Sequence, residues 1–403
     1  MKPPLLSVED ALQLVLDHAR LRPIIHHPTH TADRLILRET LPADRDQPPY
    51  DRSTMDGIAL SSSAWNAGVR SFPLAGIQAA GEPRTALPDP RHAIRIMTGG
   101  VLPSGCDVVI EQEALQIHDT TVDVITDLEI LPGRYIHAQG SDRRAGEPLL
   151  LAPLRLTPPR IAIAVSGGYA TLPVAQPHSV TVISTGNEII PLGQPAASHQ
   201  IRPSNALALA ASARALGCTP VETRHLPDHP GAIRSGLEQA IHQSDLVLIS
   251  GGVSQGLFDH VPRALADLGV EKVFHKVAQK PGKPLWFGAH PQGATVFGLP
   301  GNPVSTLLCF IRYVRPWILA SLGAPPEPSE FVIAENEGKS AAPLTTFLPA
   351  SLTRTPDGRT LARLLPYQGS GDLASLAESH GFVEIPPSQP RILPGNPLRF
   401  HPW

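Results

Sequence analysis

An apolar run that ends in paired glycines lies in the middle of the chain, Asp245-Leu246-Val247-Leu248-Ile249-Ser250-Gly251-Gly252-Val253-Ser254. Its continuous apolar character predicts a strand that is buried on both faces and stops at a tight loop. The same pattern occurs at Val180-Thr181-Val182-Ile183, which runs into Ser184-Thr185-Gly186-Asn187-Glu188. It occurs again from Ala294 to Gly298, before Leu299-Pro300-Gly301-Asn302-Pro303. Three such strands indicate one sheet with glycine-containing loops at the strand ends.

Helical patterns separate these strands. We expect helices from about Asn205 to Leu216, Gly231 to His242 and His260 to Leu268, and a further strand near Val221. A long helix should follow Pro303 as far as about Ala320. This alternation between residues 178 and 325 predicts a doubly wound α/β domain, in which ligands bind at the carboxyl ends of the strands.

Outside residues 178–325 the chain shows short β patterns. Residues 48–145 are typical of an inserted β-rich domain, because short apolar runs there alternate with glycine and proline. The segments 1–47 and 146–177 would form an N-terminal, linker-type domain, in which Ser7-Val8-Glu9-Asp10 resembles a capping box and opens a helix to about Arg20. Residues 326–403 would form a C-terminal β domain. The prediction is an α/β multidomain protein.

Composition restricts the class of protein. The net charge of −3 and the pI of about 6.6 give no reason to expect nucleic-acid or membrane-surface binding. The three cysteines are isolated, which fits a reducing compartment and argues against disulfides. No apolar run approaches the roughly 18 residues of a membrane span, and the start, Met1-Lys2-Pro3-Pro4, lacks a signal-peptide pattern. We therefore expect a cytoplasmic protein.

Lysine is concentrated in one segment. Four of the six lysines fall within twelve residues, Lys272, Lys276, Lys280 and Lys283, and they run into Lys280-Pro281-Gly282-Lys283-Pro284. Ammonium groups bind phosphate or other oxyanions from several directions, and glycine between prolines predicts a stiff turn. Asn302 and Pro303 are typical of a helix start, whose free N–H groups also attract anions. The lysines and the three loops together favour a ligand that carries phosphate.

Carboxylates form a second set of candidate residues. They stand at predicted loops or element ends, and they are Asp56, Asp142, Glu188, Asp228 and Asp259. Carboxylates near phosphates usually hold Mg²⁺, which takes oxygen ligands and bridges phosphate oxygens. Each acid alone would be explained more simply as a turn or capping residue. Nothing in the sequence resembles a Ser/His/Asp or Cys/His nucleophile.

Longer motifs resemble one family. Residues 48–57, Pro-Pro-Tyr-Asp-Arg-Ser-Thr-Met-Asp-Gly, are similar to the signature PPFDxSAMDGYA. Ile94-Arg95-Ile96-Met97-Thr98-Gly99 with Pro103-Ser104-Gly105-Cys106-Asp107 resembles IxTGAxLPxGAD. The loops quoted above and Tyr367-Gln368-Gly369-Ser370 follow in the family's order, so the resemblance covers almost the whole chain. It is a resemblance to the MoeA family of molybdopterin molybdenumtransferases, which is similar to the C-terminal domain of gephyrin.

The resemblance implies a four-domain homodimer with sites shared between subunits. Such a protein inserts molybdenum from molybdate into adenylated molybdopterin and releases AMP in a Mg²⁺-dependent step. Its α/β domain would have the MogA/MoaB-like fold of the adenylyltransferases. A contact with the adenylyltransferase of the preceding step is also implied.

The resemblance implies roles for the residues of this chain that occupy the positions of the family's motifs. The residues implied in catalysis are Asp56, Asp142, Asp259, Lys276 and Lys280. Those implied in substrate binding are Thr98, Glu188, Asp228, Gly251, Gly252, Lys283, Pro300, Gly301, Pro303 and Ser370. Mg²⁺ would be held among Asp56, Asp142, Glu188 and Asp259.

Two other functions and one departure from the family pattern stay open. The α/β domain alone would suit a molybdopterin adenylyltransferase, although the single-domain enzymes lack the residues before position 178. A gephyrin-like scaffold is the third interpretation, but a scaffold would not need the acids and lysines. The family's arginine near Phe347-Leu348-Pro349 is missing, and the next arginine is Arg354. This predicts a weaker oxyanion contact, which an arginine at Pro349 would restore.

Overall fold

The computed structural model describes residues 5–125, 129–253, 260–291 and 293–403. The chain divides into two compact units. The first contains the residues up to Arg38, Pro153–Thr157 and Thr171–Trp403, and the second contains Glu39–Ala152 and Pro158–Ala170. Each unit has its own sheets and its own hydrophobic core.

A six-stranded sheet forms the body of the second unit. In spatial order its strands are Val108–Glu111, Gly57–Leu60, Ala93–Ile96, Ser71–Gln78, Thr121–Val124 and Leu115–Ile117. Ile58, Phe72 and Ile110 are fully buried in its core. The other elements are the helices Ser62–Asn66 and Pro158–Ser166, the 3-10 turn Gln112–Ala114, and the strand pairs Arg52–Ser53 with Ile136–His137 and Leu41–Pro42 with Pro148–Leu150. The predicted β-rich character of this region is confirmed.

The first unit opens with the helix Val8–Asp17. Ser7 caps it, because the backbone N–H of Asp10 donates to Ser7 Oγ over 3.0 Å. The apolar stripe of the helix is fully buried and consists of Val8, Ala11 and Val15. The predicted cap is confirmed, although the helix ends before the predicted Arg20. A small sheet follows, made of Ile24–Pro28, Thr171–Ala175, Ile36–Leu37 and Leu154–Arg155, with the 3-10 turn Thr29–Thr31.

A six-stranded mixed sheet forms the α/β part of the first unit. In spatial order its strands are Val221–Leu226, Val180–Thr185, Leu246–Ser250, Thr295–Leu299, Trp286–Ala289 and Glu271–His275. The first four are parallel, and Trp286–Ala289 runs antiparallel to both of its neighbours, Thr295–Leu299 and Glu271–His275. The three central strands with continuous apolar runs are buried along their whole length. The carboxyl ends of the parallel strands therefore meet at one edge.

Helices cover both faces of this sheet, because alternate strand residues point to opposite sides. Val182 enters one core with the helix Ser204–Ala215. Ile183 enters another core with the helices Pro230–Gln243 and Val261–Asp267. The last parallel strand leads into a helix made of Pro303–Cys309, a π-helical turn Phe310–Val314 and Arg315–Ser321. The predicted doubly wound α/β domain is confirmed. In the described part of the chain, no helix combines the length and the apolar character needed to cross a bilayer.

Five strands at the C-terminus form a closed ring of pairings. In order around the ring they are Thr345–Arg354, Thr360–Leu364, Glu330–Ala334, Pro397–Pro402 and Gly381–Ile385. The strand Gln279–Lys280 pairs in parallel with Thr345 and Thr346, so the lysine segment is attached to this barrel. Gly338–Lys339 pairs with Arg391–Ile392, and Leu373–Leu376 is a 3-10 turn. The lysine segment, predicted as a loop, is thus partly a strand.

Candidate active site

One cavity of ≈ 540 Å³ lies at the carboxyl ends of the parallel strands. All three glycine-containing loops contribute to its wall, together with the start of the helix Ser204–Ala215 and two residues of the C-terminal region. Six predicted site residues line it, Glu188, Asp228, Gly251, Gly252, Gly301 and Pro303. The other lining residues include Ser184, Thr185, Gly186, Asn205, Ser250, Gly371 and Leu373. The strand-end rule therefore located this cavity correctly.

The first loop holds its acid against a glycine. A Cβ at Gly186 would overlap the carboxylate of Glu188, so this glycine leaves room for the acid on the cavity wall. The backbone N–H of Asp228 donates to Asn187 Oδ1 over 3.1 Å, which ties the loop of Asp228 to that of Glu188. Asn187 thus positions a second acid. Glu188 is exposed and Asp228 is half-buried, so both carboxylates are available to a ligand.

The third loop is joined to the C-terminal region. Asn302 precedes the helix Pro303–Cys309, but its side chain makes no capping hydrogen bond. Its Nδ2 instead donates to Ser370 Oγ over 2.7 Å, and the N–H of Val304 donates to the carbonyl of Ser370 over 3.1 Å. The predicted helix start at Asn302 and Pro303 is confirmed, but the Asn302 amide makes a long-range contact instead of capping the helix. Ser370 is brought beside Pro303 by this contact, while Pro300 is buried beneath the loop.

Asn205 is a site residue to which sequence reasoning assigned no role. Its Nδ2 donates to Ser250 Oγ over 2.9 Å and to the carbonyl of Gly301 over 2.7 Å. One side chain therefore connects the second loop to the third. The only sequence signal is an amide at a predicted helix start, which is as typical of a cap as of a site.

The lysine segment is held by its backbone and by a buried polar cluster. The N–H of Val277 donates to the carbonyl of Lys283 over 2.9 Å. The buried Gln279 accepts a hydrogen bond from the hydroxyl of Tyr313 and donates to Cys309 Sγ over 3.5 Å. Burial raises the pKa of the Cys309 thiol to about 12, so this cysteine serves packing rather than thiolate chemistry.

The three candidate lysines differ in exposure. Lys280 and Lys283 are exposed and Lys276 is half-buried with a positive φ of 81°. None of the three is among the described residues that line the strand-end cavity. Their place in an anion site consequently stays a prediction.

Asp56 and Thr98 meet in the second unit. Asp56 Oδ1 accepts from the Thr98 N–H over 2.7 Å and from the Thr98 hydroxyl over 2.8 Å. These two hydrogen bonds hold the pKa of the Asp56 carboxyl below its ordinary value. A Cβ at Gly57 would overlap the carbonyl oxygen of Ile110, which explains why glycine follows Asp56. The sequence placed both residues among the candidates, and the structure puts them in direct contact.

Asp142 has a different partner. Its Oδ1 lies 2.8 Å from Nε2 of His137, which sequence reasoning had not singled out. Asp259 lies outside the described residues. Among the described residues, no three His, Cys, Asp or Glu side chains converge as a metal site. The candidate acids are divided between the two units, with Asp56 and Asp142 in the second and Glu188 in the first.

The missing arginine cannot be restored at Pro349. Pro349 is buried in the strand Thr345–Arg354, and it lies opposite Phe382 of the neighbouring strand. An arginine there would bring an unpaired charge into the barrel wall, which is strongly unfavourable. The predicted rescue is therefore wrong in its choice of position. Arg354 is exposed at the end of the same strand.

Three family profiles match consecutive parts of the chain. Residues 6–168 match the MoeA N-terminal region (domain I and II), residues 181–320 a probable molybdopterin binding domain, and residues 332–403 the MoeA C-terminal region (domain IV). A molybdopterin molybdenumtransferase of Synechocystis sp. is 38% identical over 369 residues, which is 91% of this chain and 92% of that protein. The chain belongs to the MoeA family.

Further relatives agree with this membership. A molybdopterin molybdenumtransferase of Synechococcus elongatus is 35% identical over 406 residues, and the alignment covers 98% of both chains. The crystal structure of a molybdopterin biosynthesis MoeA protein from Pyrococcus horikoshii superimposes with a TM-score of 0.79 and 26% identity over 99% of this chain and 100% of that one. In this MoeA-family protein, the loops of Glu188, Gly251 and Gly301 fall in the part that matches the molybdopterin binding domain.

Proposed function

We propose that the protein is a molybdopterin molybdenumtransferase, which transfers molybdenum from molybdate to adenylated molybdopterin and releases AMP late in molybdenum cofactor biosynthesis. The observation that carries this proposal is the strand-end cavity, where three loops and two acids converge. Its volume of ≈ 540 Å³ lies within the range of small-molecule and cofactor sites. Full-length similarity to relatives with this name supports the same activity.

The chemistry would rest on positioning and charge neutralisation. Both substrates are anions, so the exposed Lys280 and Lys283, with Lys276, would bind the pyrophosphate and the molybdate. Glu188, Asp228 and the glycine loops would hold the nucleotide-bearing substrate in the cavity. No covalent nucleophile is required, because holding two reactants in the correct relative orientation can itself accelerate a reaction greatly.

The acids suit a magnesium ion whose coordination is completed by oxygen atoms of the substrate. Mg²⁺ in proteins commonly takes one or two carboxylates together with phosphate oxygens and water. Glu188 offers such a carboxylate on the cavity wall, and Asp56, Asp142 and Asp259 are the other proposed ligands. Bound Mg²⁺ would neutralise charge on the phosphate oxygens.

We further propose a homodimer whose sites combine residues of both subunits. Asp56 and Thr98 belong to the second unit, whereas Glu188 and the lysines belong to the first. The first unit of one subunit would share a site with the second unit of its partner. We also propose that the protein acts in the cytoplasm, next to the adenylyltransferase that supplies its substrate.

A mixed dimer tests the shared site. Asp56→Asn and Lys280→Ala should each lose most of their activity as homodimers. In a mixed dimer one site carries both substitutions and the other carries neither. Random co-expression makes about half the dimers mixed, so roughly a quarter of wild-type activity should return. Purified mixed dimers with no activity above the parents would contradict a site built from two subunits.

The activity itself is tested with purified protein, adenylated molybdopterin and Mg²⁺. AMP release should require molybdate and should yield the molybdenum cofactor. Formation of adenylated molybdopterin from ATP and molybdopterin would instead identify an adenylyltransferase. A folded dimer that binds adenylated molybdopterin but never releases AMP with molybdate would favour the scaffold.

A further inference from the structure

The hydroxyl of Thr185 stands without a partner in the wall of the strand-end cavity. Thr185 is the last residue of the strand Val180–Thr185 and is 5% exposed. Its Oγ1 is buried and makes no hydrogen bond within the described part of the chain. Buried hydroxyls are normally hydrogen-bonded, because they otherwise lose their bonds to water without replacement. An unpaired hydroxyl at a ligand cavity therefore needs an explanation.

Other hydroxyls on the same strand and the next one are hydrogen-bonded. Ser184 Oγ lies 3.3 Å from Nδ1 of His225. Ser250 Oγ accepts from Asn205 over 2.9 Å. Thr181, on the same strand as Thr185, has its Oγ1 2.6 Å from Ser244 Oγ. These hydroxyls thus have partners, whereas that of Thr185 has none among the described residues.

Two glycines face the Thr185 hydroxyl. A Cβ at either Gly251 or Gly252 would lie 3.0 Å from Thr185 Oγ1. Both residues have positive φ, 96° and 68°, and both line the same cavity as Thr185. The two glycines therefore place no side chain against the hydroxyl on this side.

We propose that Thr185 Oγ1 donates a hydrogen bond to a phosphate oxygen of the nucleotide-bearing substrate. This rests on the proposed function, which supplies the phosphate. The hydroxyl needs an acceptor, and a phosphate oxygen is a strong one. Thr185 is thereby a substrate-binding residue that complements the lysines, and Gly251 and Gly252 are required to keep its hydroxyl uncovered by side chains.

The test uses isosteric replacement in the full-length protein. Thr185→Val removes the hydroxyl and keeps the shape, whereas Thr185→Ser keeps the hydroxyl. Thr181→Val is the matched control, because it removes a paired hydroxyl from the same strand away from the cavity. Calorimetry measures the Kd for adenylated molybdopterin, and thermal melts report stability.

Thr185→Val should bind adenylated molybdopterin about tenfold more weakly or worse, with a Tm no lower than that of the wild type. Thr185→Ser should restore most of the affinity. Thr181→Val should lower the Tm and leave the Kd unchanged. Wild-type affinity in Thr185→Val would overturn the inference alone, whereas a wild-type protein that fails to bind would overturn the proposed function. If Thr185→Val does not fold, equal affinities of Thr185→Ser and Thr185→Ala would overturn the inference.

Discussion

Replacing Lys280 or Lys283 by alanine tests whether the lysine segment binds an anion or only forms a structural turn. Both side chains are exposed, and the pairings given for these two residues use their backbone atoms. Lys280 pairs with Thr346, and the carbonyl of Lys283 accepts from the N–H of Val277 over 2.9 Å. Alanine keeps these contacts. The free energy of unfolding should therefore change by about 0.5 kcal/mol or less in either variant.

The loss should be in substrate affinity. A hydrogen bond from an ammonium to an oxyanion contributes about 1.5–3 kcal/mol, which is about a 10- to 150-fold fall in kcat/KM. Steady-state AMP release at varied molybdate and adenylated molybdopterin measures this fall, with thermal melts on the same samples. Lys272→Ala is the control, because Lys272 is an exposed lysine on the strand Glu271–His275 outside the proposed site. It should retain wild-type kinetics.

Three outcomes would contradict the anion site. Full kcat/KM in both Lys280→Ala and Lys283→Ala would mean that neither ammonium touches substrate. A lower Tm with unchanged activity per folded protein would make the segment a structural part of the barrel, through the strand Gln279–Lys280. An equal loss in Lys272→Ala would indicate long-range attraction rather than contact, and that loss should shrink at high salt.

Three further changes test other parts of the molecule. Asp56→Asn keeps an oxygen that accepts both hydrogen bonds from Thr98 but removes the charge. Its AMP release should fall by about 100-fold or more at an unchanged Tm, and wild-type kinetics would make Asp56 only a turn residue. Burial lowers the pKa of His178 from 6.5 to about 4. The unfolded chain then binds a proton below pH 6.5 that the folded chain binds only near pH 4, so this group should reduce the free energy of unfolding by up to about 3 kcal/mol as the pH falls from 7 to 4. Urea melts of His178→Gln should show a flatter pH dependence, and an unchanged slope would contradict the assignment. Tyr313→Phe leaves the carbonyl of Gln279 without its donor and should reduce the free energy of unfolding by about 1–3 kcal/mol in urea melts, whereas a neutral result would show that the carbonyl finds another donor.

The sheet and its cavity could be predicted because they depend on local patterns. A strand that is apolar on both faces is buried only when helices cover both faces of its sheet. The carboxyl ends of parallel strands then lie along one edge of that sheet. Glu188 and Gly251 follow directly after such runs, so their meeting needed only this rule. The family resemblance added Thr98, whose direct contact with Asp56 no local pattern in the sequence required.

The remaining parts depend on contacts between distant residues. The amide of Asn302 is typical of a cap, yet it bonds to Ser370, and nothing near either residue indicates the pairing. The burial of Pro349 follows from the closed barrel, which depends on pairing with Gly381–Ile385. The strands Glu271–His275 and Trp286–Ala289 were missed because neither has a continuous apolar run as long as those of the central strands.

The burial that builds the sheet also determines where its chemistry can lie. Every residue of the strand Leu246–Ser250 is buried, as is every residue of Val180–Thr185. Polar groups within such strands must be paired internally, as Thr181 is with Ser244. Only at the carboxyl ends can a polar side chain remain unpaired and still reach a ligand. Thr185 occupies such a position, so its unpaired hydroxyl is better explained by a partner that the ligand supplies than by a packing defect.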